Sequence, residues 1–189
     1  LILNITDKDT RKYIFYIILG TIPAVIIGFG ARSYISQLFD SVQLVSVALM
    51  VTGLILFFSK KVKSNLLPID GNKALLIGIT QAFAIIPGIS RSGITICTGL
   101  ALGMSGKNAA KFSFLLAIPA ISGAGLLMTL DPQSDISIIP LTSLIMAFLS
   151  SFIIGYICLK WLLNLLESGK FYFFGYYCFV IGLITLLIL

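Results

Sequence analysis

The stretch "IPGISRSGIT", residues 86–95, decides the fold because it interrupts sequence that is otherwise compatible with lipid. One arginine, Arg91, stands there between two serines and two glycines. The uncharged runs on either side, 74–90 and 92–106, are shorter than the roughly 20 residues that a helix needs to cross the bilayer core. The Pro-Gly-Ser break between them predicts a broken or re-entrant hairpin at 74–106.

The remaining apolar runs predict membrane-spanning helices. Of the 189 residues, 58% are hydrophobic and 11% are charged, whereas about 25% are charged in an ordinary globular domain. Five further uncharged runs approach spanning length: 13–31, 41–59, 112–130, 136–159 and 171–189. The sequence therefore predicts an all-α integral membrane protein. The expected architecture is a polytopic bundle of about five spanning helices plus the hairpin, with residues 1–189 forming a single membrane domain.

The basic residues predict the orientation in the membrane, since short cytoplasmic loops carry an excess of lysine and arginine. Alternating crossings place all but two of the 13 basic residues on one face, which predicts a cytoplasmic N-terminus. Arg32 falls on the other face, and Arg91 belongs to neither. The net charge of +6 is scattered in short clusters and forms no stripe along one helix, so nucleic-acid binding is not expected.

Cysteine and histidine usage excludes several kinds of site. Cys97, Cys158 and Cys178 each lie in an apolar run with no second cysteine or histidine nearby, so neither disulfide nor metal-ligand spacing is present. We interpret them as small packing residues. The chain has no histidine, which removes the commonest general base and metal ligand.

The surroundings of Arg91 predict an anion site. An arginine at the bilayer centre costs roughly 2.5–3.5 kcal/mol, so it normally faces a cavity, a partner or a ligand. Gly88 and Gly93 allow close backbone approach, and Ser90 and Ser92 add hydroxyl groups. With Ser92 as the expected N-cap, the first turn of a helix would point free N–H groups at a phosphate. The alternative is that Arg91 lies in an outer loop and reaches lipid phosphate.

Thr95 would lie one turn into that helix, where it either extends the polar face or bonds its own backbone.

A catalytic base is missing from the apolar runs. Two acidic residues fall in predicted inner loops, and three fall in outer ones: Asp70, Glu167, Asp40, Asp131 and Asp135. The residues alone therefore leave open whether the protein hydrolyses a phosphorylated lipid or carries one.

The element "PGISRSGITI", with "QAFAI" before it and "KFSFLLAIPA" after it, resembles the bacterial undecaprenyl-diphosphate phosphatase family, also called bacitracin-resistance proteins. The resemblance implies a multi-pass enzyme of the bacterial inner membrane, with its active site facing the outer side. It would remove a phosphate from a polyprenyl diphosphate lipid and so recycle the carrier for peptidoglycan synthesis. The family fold is similar to two inverted repeats with re-entrant helices.

The resemblance also implies roles for individual residues. Arg91 would hold the diphosphate, and Ser90 and Ser92 would assist binding or catalysis. Substrate binding would involve four further residues: Gly88, Gly93, Thr95 and Gln81. The sequence is compatible with a homo-oligomer and specifies no oligomeric state.

Two departures from the family pattern stand out. Ile94 replaces the usual alanine, and nothing matches the N-terminal motif of two glutamates followed by a turn ending in Gly-His. That motif is expected to supply the base or nucleophile and the ligands of a divalent cation, magnesium or calcium. We therefore expect the chain to be the C-terminal part of a longer protein and to be inactive alone. The alternatives are a lipid-phosphate carrier without hydrolysis and a non-functional fragment.

Overall fold

The computed structural model describes residues 8–30, 38–61, 66–130 and 140–188. Seven α-helices of 11 residues or more lie in these ranges, and no strand does. They are α1 (Lys8–Gly30), α2 (Val42–Phe58), α3 (Gly71–Phe83), α4 (Arg91–Ala101), α5 (Gly106–Leu130), α6 (Leu141–Glu167) and α7 (Phe173–Ile188).

The five predicted spanning runs correspond to five apolar helices. Within the described ranges, three stretches are long and apolar enough to cross a membrane: Lys8–Gly30, Gly106–Leu127 and Leu141–Glu167. The two shorter apolar helices, α2 and α7, have 17 and 16 residues. The all-α polytopic bundle is thus confirmed. Whether residues 1–189 form a single domain stays a prediction. Arg32, Lys63, Asp131 and Asp135, which entered the assignment of sides, lie outside the described residues.

The surface of these helices is apolar. Ile26 on α1, Phe152 on α6 and Leu187 on α7 are each 65% exposed or more, and the most apolar window of α6 contains no buried residue. Exposure of this many large apolar side chains is stable in lipid and costly in water. The chain is therefore a multi-pass membrane protein.

The predicted hairpin is present and lies inside the bundle. Asp70 caps α3 by accepting a hydrogen bond from the Lys73 backbone N–H at 2.9 Å, and that bond keeps the pKa of the Asp70 carboxyl below its ordinary value. α3 ends four residues before Pro87, and α4 begins at Arg91. The Leu67 N–H donates to the Gly103 carbonyl at 3.0 Å, so the start and the end of the hairpin meet.

Close helix crossings hold the hairpin. α1 crosses α3 at Gly20 and Gly78, where a Cβ on Gly78 would overlap the Gly20 backbone. α4 packs against α2, α3 and α5, and the largest fully buried side chains, Phe112, Ile77 and Ile96, come from α5, α3 and α4. Such small-residue crossings are typical of membrane bundles.

The three aliphatic-Pro-small stretches differ in their structure. Pro23 and Pro119 lie inside the continuous helices α1 and α5, whereas Pro87 lies in the break between α3 and α4. Only the third stretch therefore produces a discontinuous helix pair among the residues that the structure covers.

Candidate functional site

The turn between α3 and α4 is built around Gly88. Its φ of +94° lies in the left-handed region that favours glycine. A Cβ at this position would overlap the Val45 carbonyl oxygen and come within 2.9 Å of the Ala48 Cβ on α2. Gly88 is thus required twice, for its backbone conformation and for the close approach of the turn to α2.

The N-cap of α4 is Ser90, and the prediction that Ser92 caps this helix is wrong. Ser90 has extended backbone angles, φ −70° and ψ 111°, and its Oγ accepts from the Gly93 N–H at 3.2 Å. Ser92 is the second residue of the helix, and a residue with helical angles cannot serve as N-cap. Gly93 fits closely because a Cβ there would lie 3.0 Å from the Ser90 Oγ.

This assignment predicts different effects for the two serines. Ser90→Ala removes the cap and should lower the free energy of unfolding by about 1 kcal/mol. Ser92→Ala removes a hydroxyl that has no partner among the described residues, so its effect on stability should stay within about 0.5 kcal/mol. Thermal unfolding of both variants in detergent measures the difference. A larger loss for Ser92→Ala would contradict the capping assignment.

Arg91 is partly buried and is held by two neighbouring helices. Its Nε and Nη2 donate to the Gln81 Oε1 at 3.0 and 2.7 Å, and Nη2 also donates to the Leu116 carbonyl at 3.0 Å. Leu116 lies three residues before Pro119, in the turn of α5 that the proline loosens. The guanidinium is therefore fixed inside the bundle by protein contacts, with Nη1 left without a partner among the described residues.

Gln81 is 3% exposed, and its amide orientation follows from Arg91. Two guanidinium N–H groups point at one amide oxygen, which leaves Nε2 on the opposite side. That Nε2 is buried and has no hydrogen-bond partner in the part of the chain that the structure describes. A buried donor left unpaired costs about 1–3 kcal/mol, and this Nε2 is able to donate a hydrogen bond to an acceptor that reaches it.

Thr95 bonds its own helix and a neighbour. Its Oγ1 lies 2.7 Å from the Arg91 carbonyl and 2.6 Å from the Ser113 Oγ on α5. A carbonyl only accepts, so Thr95 donates to Arg91 and accepts from Ser113. Thr95 is 1% exposed. Its place is beneath the first turn of α4, where it fixes that turn against α5.

Sequence reasoning missed Ser113, the Leu116 carbonyl and Thr52. Thr52 lies on α2, and its Oγ1 is 3.0 Å from both the Gly88 carbonyl and the Ser90 backbone N. Ser113 belongs to "KFSFLLAIPA", a stretch that carried the resemblance, so the signal existed there. Thr52 had no sequence signal beyond a polar residue in an apolar run.

The assembled site offers donors and no base. Among the described residues, no group of three or more His, Cys, Asp or Glu is placed to hold a metal ion. Asp70 lies 11 residues before Gln81, or about 16 Å along α3, where it pairs with Lys73. Glu167 is exposed near Lys107 at the end of α6. The guanidinium, the Gln81 amide and the helix N-terminus can bind an anion, and none of them can abstract a proton from water.

Comparison with known proteins finds a matching family model and several similar proteins. The family model described as "Bacitracin resistance protein BacA" matches residues 2–184. The chain is 39% identical over 189 residues to "Undecaprenyl-diphosphatase 2" of Bacillus thuringiensis, covering 96% of this chain and 68% of that protein. It is 40% identical to "Undecaprenyl-diphosphatase" of Desulfosudis oleivorans (95% and 66% covered) and 38% identical to that of Korarchaeum cryptofilum (97% and 69% covered). The chain thus spans about two thirds of the length of these relatives.

Proposed function

The chain belongs to the bacitracin resistance protein BacA family, and from this premise we propose that it acts as a membrane phosphatase on undecaprenyl diphosphate. The products are undecaprenyl phosphate and inorganic phosphate, so the reaction returns the cell-wall lipid carrier to use. The observation that carries the proposal is the Arg91–Gln81 pair at the start of α4, in which the Arg91 Nη1 and the buried Gln81 Nε2 have no partner among the described residues.

These donors fit a diphosphate. The first intrahelical bond of α4 runs from the Ile94 N–H to the Ser90 carbonyl at 2.9 Å, so the N–H groups of Arg91 and Ser92 have no partner among the described residues. Helix N-termini bind phosphate through such groups. Together with the guanidinium and the Gln81 amide, they offer one positive charge and several N–H donors to a phosphate group.

Ser90 and Arg91 would take part in the reaction in different ways. The Ser90 Oγ already accepts the Gly93 N–H and retains its own proton for donation to a phosphate oxygen. Hydrolysis forms a bond from a water oxygen to the terminal phosphorus and breaks the bond between that phosphorus and the bridging oxygen. The electron pair of the broken bond leaves with the lipid phosphate, and the water proton passes to the base. Arg91 stabilises the charge that develops there. The base that activates water must come from outside the cluster, because every group in it is a donor or a weak acceptor.

A divalent cation, magnesium or calcium, would have to be bound by residues other than these. The cluster does not fit a cation, since Arg91 is positively charged and the Gln81 oxygen already accepts two N–H groups. The missing base also favours a second candidate function, binding and carriage of a polyprenyl phosphate lipid without hydrolysis.

The proposed location is the bacterial inner membrane, with the N-terminus of this chain cytoplasmic and the site facing the outer side. Lys73 and Lys107 lie at the end of the hairpin where Leu67 meets Gly103, and the turn with Gly88 lies at the other end. An excess of lysine marks the cytoplasmic side. The turn would therefore face outward.

The test is release of inorganic phosphate from undecaprenyl diphosphate by purified protein, with Arg91→Ala as the matched inactive control. Phosphate release is measured for two proteins side by side: the 189 residues alone, and the product of the full reading frame that encodes them. Phosphate release that disappears in Arg91→Ala supports hydrolysis. Lipid movement in proteoliposomes without phosphate release from either form would replace the phosphatase with the carrier. Release by the 189 residues alone would contradict the expectation that they are incomplete.

A further inference from the structure

We propose that Thr52, on α2 and outside the motif, is a positioning residue that holds the phosphate-binding turn in its working geometry. The proposal rests on the function proposed above. Thr52 is 2% exposed. Its Oγ1 lies 3.0 Å from the Gly88 carbonyl, 3.0 Å from the Ser90 backbone N and 3.1 Å from the Ala48 carbonyl of its own helix.

One hydroxyl joins both ends of the turn. The Ser90 N–H can only donate, so the Thr52 oxygen accepts from it. The two carbonyls can only accept, so the single Thr52 proton is shared between Gly88 and Ala48. A hydroxyl is the smallest group that does both. The Thr52 hydroxyl thereby fixes the Gly88 carbonyl and the backbone N–H of Ser90, the N-cap of α4.

The surface of α2 around Thr52 is shaped for this turn. Val45, Ala48 and Thr52 follow one another at helical spacing, and the first two are the groups that a Cβ on Gly88 would meet. Ser46 lies on another face of α2, where Gly182 of α7 crosses. Its hydroxyl donates to the Val42 carbonyl at 2.8 Å and has no second partner in the described part of the chain. One face of α2 therefore packs on α7, and a separate face receives the turn.

The connection to function runs through Ser90 and Arg91. Ser90 is the N-cap and Arg91 follows it directly, so movement of the turn moves the free N–H groups of α4 relative to the guanidinium. Gln81 and Leu116 would still hold the Arg91 side chain. We therefore expect loss of the Thr52 hydroxyl to misalign the substrate more than to prevent its binding. Small misplacements of this kind can cost up to about 100-fold in rate.

The experiment compares Thr52→Val, which keeps the shape and removes the hydroxyl, with Thr52→Ser, which keeps the hydroxyl. The control is Thr21→Val, because Thr21 is also buried and, within the residues that the structure covers, its hydroxyl bonds the Ile17 carbonyl of its own helix and nothing else. For phosphate release from undecaprenyl diphosphate, we expect kcat to fall about 30-fold in Thr52→Val with KM within about threefold. Thr52→Ser should stay within about threefold of the unchanged protein, as should Thr21→Val.

Hydrogen exchange of the segment 84–93 gives a readout that needs no activity. Exchange should be faster in Thr52→Val and unchanged in Thr21→Val. If Thr52→Val does not fold, Thr52→Cys, with its weaker hydrogen bonds, takes its place and should exchange faster than the unchanged protein. Unchanged exchange overturns the proposal, as does equal loss of kcat in Thr52→Ser and Thr52→Val. Absence of hydrolysis by the unchanged sequence in both forms, the 189 residues and the product of the full reading frame, would overturn the proposed function and leave the exchange result to decide the role of Thr52.

Discussion

Arg91→Lys is expected to lower kcat/KM for undecaprenyl diphosphate by about 100-fold, equivalent to about 2.7 kcal/mol. The guanidinium makes three hydrogen bonds in the bundle through Nε and Nη2, and its Nη1 has no partner among the described residues. An ammonium has three N–H groups on one atom and no fixed plane. It cannot hold Gln81 and the Leu116 carbonyl together while also contacting a phosphate through a second nitrogen.

Steady-state kinetics of purified Arg91→Lys measures this effect, with Lys107→Arg as the control. Lys107 is 73% exposed and lies 3.9 Å from Glu167 at the other end of the hairpin, so the same pair of residue types is exchanged away from the site. Its kinetics should be unchanged. Equal kinetics for Arg91→Lys and the unchanged protein would mean that Arg91 contributes charge alone. The contact that we assign between the Arg91 Nη1 and the phosphate would then be wrong.

The fold was predictable because membrane helices leave a direct record in the sequence. Each spanning helix satisfies its own backbone and exposes apolar side chains to lipid, so uncharged runs mark helices without knowledge of their partners. The break between α3 and α4 was marked by Pro87 and Gly88. Neither residue suits a helix interior, and together they favour a turn.

The contacts of the site were less predictable because they depend on how helices meet. Whether Ser90 or Ser92 caps α4 depends on where helical angles begin, and both serines precede a plausible helix. The Leu116 carbonyl is a backbone group, so no residue type announces it. Thr52 is separated from Ser90 by 38 positions, and its partner is fixed only once α2 packs against the turn.

Gly88→Ala is expected to destabilise the protein by about 3 kcal/mol or more and to abolish most activity. Left-handed backbone angles cost a residue with a Cβ about 1–2 kcal/mol, and overpacking typically adds 1–3 kcal/mol. The second term applies here because the new methyl group would meet the Val45 carbonyl, a backbone atom in α2 that cannot rotate away. Relief requires the turn to move off α2, which separates Thr52 from Ser90.

Gly169→Ala is a matched control for this variant because it tests the backbone term without the packing term. Gly169 also has a positive φ, +67°, and a Cβ there would have nothing within 4 Å. It should lose about 1 kcal/mol and keep its activity. Thermal unfolding and phosphate release are measured for both. Similar losses of stability would mean that the turn does not rest on α2, whereas a much larger loss for Gly88→Ala locates the difference in the contact with Val45 and Ala48.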